Sequence, residues 1–127
     1  MSRPAKRTPS SHAMKIEELL NSGESKEALA WLQGGKPESR SLGELPSTTA
    51  SITLVQEVYA LGATRVTAAN IDTYDTGEEN TGKLIVSLPK ESSARERVFA
   101  WCAERAEQLG FEPERDVGQE HIFVMLD

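Results

Sequence analysis

Aromatic side chains and sulfur are both scarce in this chain: 6% of its 127 residues are Phe, Trp or Tyr, and Cys102 is its one cysteine. A single cysteine rules out an internal disulfide and is compatible with a reducing compartment. Long apolar runs are missing too. None approaches the roughly 18 to 20 residues that span a bilayer, and the first residues lack the apolar stretch of a secretory signal. The expectation is a cytoplasmic protein that does not contact a membrane. Basic surface is the third shortage. Arg3, Lys6 and Arg7 give residues 1–13 a charge of +3, and taking them from the formal net of −6 leaves −9 for residues 14–127. Clustered Lys and Arg supply most of the affinity for duplex nucleic acid, so an acidic body argues against that class of partner.

The chain's length suits one domain with a single modest core, and its 38% hydrophobic and 27% charged composition is ordinary for a globular protein. Residues 1–13 carry Pro4, Pro9 and small or basic residues without apolar periodicity, which predicts a disordered basic head. Residues 14–35 read as a short helical segment. Ile16, Leu19 and Leu20 share a face in its first half, and Ala28, Leu29, Trp31 and Leu32 follow behind Ser25 as N-cap, with Gly34-Gly35 as the stop. This segment either docks on the rest of the chain or forms an arm that awaits a partner. Residues 36–48, with Pro37, Gly43 and Pro46, read as a linker or surface loop.

The remaining residues, 49–127, read as one α+β domain. A helix over 49–61 carries Ile52, Val55 and Tyr59 and ends at Gly62. A strand over 65–74 places Val66 and Ala68 on one face, with Ile71 on the other parity, which predicts either a bulge or two partly covered faces. A polar connection over 75–82 leads to a strand that alternates cleanly through Leu84, Val86 and Leu88. Ser93 and Glu96 have the spacing of a capping box for a helix that ends at Gly110, and His121 to Leu126 forms a last strand with apolar residues on both faces, which predicts an interior position.

Strands joined by a short connection run antiparallel, and a crossover helix returns the last strand parallel to the second. The expected architecture is therefore a two-layer α+β sandwich of order α-β-β-α-β, with two helices on one face. By topology alone, and by no motif, this order resembles a ferredoxin-like fold lacking its first strand. The resemblance implies no activity, because that fold hosts many. If the two parallel strands are not direct neighbours, a slot lies between them for part of the 36–47 segment, a second copy or a partner peptide.

Several constellations invite chemistry, and each has a plainer reading. Asp75-Thr76-Gly77 matches the tripeptide of aspartic proteases, but Glu78 and Glu79 follow where a small residue is normal, so a polar turn is preferred. Asp72, Asp75, Glu78 and Glu79 could offer oxygens to a hard cation, yet an EF-hand counted from Asp72 fails at Tyr74, Thr76 and Lys83. Cys102 and His121 could be a nucleophile and its base, but no third orienting group is identifiable, and Cys102 lies in a stripe expected to be buried. One Cys and two His, His12 among them in the head, do not assemble a zinc site.

The segment before the last strand, with Asp116, Gln119 and His121 close to a turn glycine, is where polar groups could meet a ligand or partner. The plainer reading has Asp116 and Gln119 tying the turn to neighbouring backbone. Trp31 is the other candidate contact. The reading as a whole is a small non-catalytic interaction or self-association module with a protein partner and no catalytic residue, cofactor or metal. A regulatory domain that binds a small molecule is the alternative, and an enzyme built on Cys102, His121 or the acidic cluster comes third.

Overall fold

The computed structural model describes residues 16–127. The disordered head expected over 1–13 lies outside them. Helical residues 16–20 (α1) come first, followed by β1 (Lys26–Glu27), α2 (Ala28–Gly34) and β2 (Arg40–Leu42). Next are α3 (Thr48–Leu61), β3 (Arg65–Ala68), β4 (Asp72–Thr73), β5 (Glu79–Thr81) and β6 (Lys83–Ser87). The long helix α4 (Ser92–Gln108) and β7 (His121–Met125) complete the α+β fold.

The main sheet has the order β1-β3-β6-β7 and is antiparallel throughout. Val66, Ala68, Leu84, Val86, Ile122 and Val124 share one core with Trp31 of α2, Val55 of α3 and Val98 of α4. Ala69, Ile85 and Phe123 form a second cluster with Ile16, Leu19 and Leu20. The sheet is thus sandwiched, with α2, α3 and α4 on one side and α1 on the other, in place of two layers with two helices. Residues 14–35 lie inside the fold as far as they are described, because Ala28, Trp31 and Leu32 are core residues.

The parallel return of the last strand is corrected: β7 pairs antiparallel with β6, His121 opposite Ser87 and Met125 opposite Lys83. A 17-residue helix is about 25 Å long, enough to carry the chain past the far end of a five-residue strand. Residues 109–120 then run back before β7 begins. Leu88 N donates to Glu120 O at 2.8 Å, which fixes the start of β7 beside the end of β6. With no parallel pair in the main sheet there is no slot of the ferredoxin-like kind there; the one parallel pairing among the described strands, β2 with β5, belongs to a second sheet. β7 is also an edge strand, because apolar residues on both faces report coverage of the faces and say nothing of the hydrogen-bonding edge.

A second, small sheet of order β2-β5-β4 grows from a break in the β3–β6 hairpin. The odd parity of Ile71 has its cause here. Asn70 adopts φ 55, and its N–H donates to Ser25 Oγ, while Ile71 N donates to Glu24 O. These bonds pull the chain out of register with β6, so β4 and β5 form a separate hairpin that pairs with β2 from the supposed linker. The β2 edge is closed by α3: Ser51 Oγ accepts from Leu42 N at 2.9 Å, and Thr48 Oγ1 donates to Arg40 O.

Two caps also differ from the sequence reading. Glu27, not Ser25, caps α2, accepting from Leu29 N and Ala30 N, because Ser25 is engaged with Asn70 and β1 intervenes. Glu91, not Ser93, caps α4, accepting from Ser93 N and Ala94 N; its carboxylate takes the free donors of the first turn one residue before the helix opens. Among the described residues no helix is long and apolar enough to cross a membrane.

Candidate functional site

Trp31 is 2% exposed, so its ring is core and not surface. Helix α2 delivers it there, and its indole N–H donates to Glu79 Oε1 at 2.8 Å. Arg40 reinforces the joint: its Nε lies 3.0 Å from the same carboxylate oxygen, and its Nη1 donates to Trp31 O at 2.6 Å. The Trp31 hydrogen bond is the largest influence holding Glu79 below the usual carboxylate range; burial opposes it, and Thr73 and Arg40 add to it. This network fastens one side of the small sheet to α2.

Asp116, Gln119 and His121 also find plain employment. Arg95 of α4 reaches Asp116 with Nε and Nη2, at 3.1 and 2.6 Å, and its Nη2 also donates to Gln119 O at 3.1 Å. Asp116 Oδ1 accepts from Gly118 N, and the Gln119 amide bridges Val117 N and Arg115 O. The Arg95 bond keeps Asp116 below its ordinary value. These bonds hold the turn that positions β7, and both side chains are spent on it. His121 is half-buried at the first position of β7.

Cys102 is buried in the main core, and burial, with a smaller push from the Glu114 charge, raises its thiol to about 12. Such a thiol is protonated at neutral pH and a poor nucleophile. Asp75, Thr76 and Gly77 form the exposed tip of the β4–β5 hairpin, closed by Gly77 N donating to Tyr74 O. Of the acidic cluster, Glu79 turns to Trp31 and Arg40. Among the described residues no group of three or more His, Cys, Asp or Glu side chains converges as a metal would need.

A concave surface among the described residues lies elsewhere, over the small sheet. An open groove of about 510 Å³ runs between the hairpin tip and the start of α3. Ser39, Ser41 and Asn80 lie along it, with Pro46, Ser47 and Thr48 on one wall and Tyr74 and Glu78 on the other. Its shape is fixed from within: Asn80 Nδ2 donates to Ser41 Oγ and to Gly43 O, both at 3.0 Å. Tyr74 is 52% exposed, a large ring left in water at the rim. Glu38, Gly43, Glu79 and Asp127 complete the described lining, and no Lys or Arg is among the described residues there. The groove escaped sequence reading because its strands are three residues long or shorter. The faint signal was the alternation in Arg40-Ser41-Leu42, one apolar residue in three.

Compared with known families, curated proteins and solved structures, the chain matches no family model, no curated protein and no solved structure.

Proposed function

We propose that this chain is a non-catalytic protein-interaction module whose working surface is the groove over the small sheet. The observation that carries the reading is the exposed Tyr74 ring above an uncovered polar surface built on paired strands. Tyr offers rigid contact area at low entropic cost, and Ser, Thr and Asn offer adaptable hydrogen bonds, the mixture that binding surfaces of protein loops favour. A strand-backed surface holds these groups in place better than a free loop does.

The same groove weighs against the small-molecule reading, since pockets for such ligands are concave, mostly apolar and cover most of the ligand. An open polar trough suits an extended segment that lies along it. Self-association through the β2 or β7 edge finds less support. The β2 edge is capped by Thr48 and Ser51, and on β7 the outward Phe123 N–H donates to Glu114 Oε2 at 3.1 Å.

The test is selection of a displayed random-peptide library on the full chain, followed by binding of the enriched peptides to Tyr74→Ala and Glu78→Lys variants. Both positions are exposed, so the fold, followed by circular dichroism, stays intact. Loss of binding in both variants is the expected result. Enriched peptides indifferent to both substitutions, or no enrichment at all, would defeat the proposal.

A further inference from the structure

Resting on that reading, we infer that the segment received by the groove is a basic, extended stretch of another protein, with a Lys or Arg side chain set against the Tyr74 ring and the Glu78 carboxylate, and the Asp127 carboxylate beyond the other end of β5, against Gly82, adding to the acidic lining. The small sheet has two faces with different fates. One is fastened to α2 through Trp31, Arg40 and Glu79, and the other, which carries Ser41 and Asn80, faces the groove with no element of the described fold across it.

Charge gives the first answer. Among the described residues four carboxylate side chains line the groove and no cation does. Glu79 is compensated by Arg40, and Glu38 accepts from Thr48 N at 3.1 Å. Among the described residues the Glu78 carboxylate takes one long contact, from Thr76 Oγ1 at 3.4 Å, and Glu78 lines the groove with Tyr74. A cation arriving there gains attraction without displacing a cation of the described residues.

The ring gives a second, independent answer. An exposed aromatic face attracts a cation through its quadrupole, whether or not carboxylates stand near, and Tyr74 remains half in water at the rim. Aromatic face and acidic lining therefore select the same side chain. Ser39 Oγ donates to Lys36 O and the Asn80 amide donates to Ser41 Oγ and Gly43 O, so what these side chains offer a chain lying flat is their acceptor oxygens and the Ser41 hydroxyl hydrogen, which suit the polar groups of an extended backbone. An acidic segment would meet uncompensated like charge, and an apolar one would desolvate these groups without repaying them.

The experiment uses fluorescein-labelled peptides of about nine residues, long enough at roughly 3.3 Å each to cross the groove. One contains Lys, one Arg, one neutral Gln and one Glu at the same positions, and a fifth is the chain's own residues 1–13. Anisotropy titrations run on the full-length protein at low and physiological salt, with Tyr74→Ala, Glu78→Gln and Asp127→Asn variants alongside. Saturable binding of the Lys or Arg peptides is expected, weaker in higher salt and about twofold to fivefold weaker in each variant. If the Gln peptide binds as well as the Lys peptide and is lost in Tyr74→Ala, the inference falls while the groove remains the working surface. Tightest binding by residues 1–13 would assign the groove to the chain's own head and overturn the choice of another protein. No saturation by either cationic peptide up to about 1 mM, the weak end of specific recognition, overturns the inference outright.

Discussion

Replacing Ser51 with Ala removes one oxygen and tests the least expected part of the fold. Ser51 is fully buried, and its Oγ both accepts from Leu42 N at 2.9 Å and donates to Ser47 O at 2.9 Å. Leu42 is itself fully buried in the main core, so its amide has no water to turn to once the hydroxyl is gone. An orphaned buried donor costs about 1–3 kcal/mol, whereas the lost bond to Ser47 O is a smaller matter, because that carbonyl still accepts from Ser51 N. About 2 kcal/mol is the expected loss, which for a domain of this size lowers the melting temperature by roughly 6–10 °C. Urea unfolding followed by Trp fluorescence should show a lower midpoint at unchanged slope, the mark of a stability change in an otherwise similar transition. The exposed Thr49→Ala exchange on the same helix should stay within about 0.5 kcal/mol of the parent. A Ser51→Ala protein as stable as the Thr49→Ala control would mean that β2 does not lie against α3 as described. The groove built on β2 would then lose its floor.

Trp31→Ala should unfold the protein more readily by about 3–5 kcal/mol, as expected for a large buried ring, and Trp31→Phe by about 1–3 kcal/mol, since a smaller aromatic ring is kept and the indole bond to Glu79 is lost; calorimetry distinguishes the two. Acid should weaken the fold through Glu79 and Glu27. Hydrogen bonding by Trp31 leads in lowering Glu79, while for Glu27 burial pushes upward and is outweighed by bonds from Tyr59, Ala30 and Leu29. Both carboxyls are thus more acidic when folded. Their stabilisation is complete above the ordinary glutamate value and disappears as pH falls through the lower folded values, so midpoints measured from pH 6 to pH 3 should drop, and less steeply in Glu79→Gln. Iodoacetamide should leave Cys102 unmodified for hours at neutral pH and label it at once in denaturant, and rapid labelling of the native protein would contradict the buried, protonated thiol.

Local pattern was enough to place α3, whose apolar stripe and terminal Gly62 follow helical spacing, and the inward face of β6, where Leu84 and Val86 are two residues apart, but not the burial of Ile85 between them, which the packing of α1 on the other face decides. It was enough as well to put Cys102 inside, because Val98, Trp101 and Cys102 share one face of α4 whatever that face meets. Such features depend on residues within a turn or two of each other, and the chain carries them wherever it goes. The direction of β7 was not of that kind. It depends on residues 109–120 folding back, which in turn depends on Arg95 meeting Asp116 across 21 positions of sequence. Strand β2 is stable only because α3 and β5 supply its hydrogen-bond partners, and Glu79 reads as one more acid in a polar turn until Trp31, 48 residues away, gives it a donor. Sequence alone determined the periodic elements and their apolar faces, since those are short-range properties. Which strands pair, which edges are closed and where a polar groove stays open were decided by contacts between distant residues, and these exist only once the chain is folded.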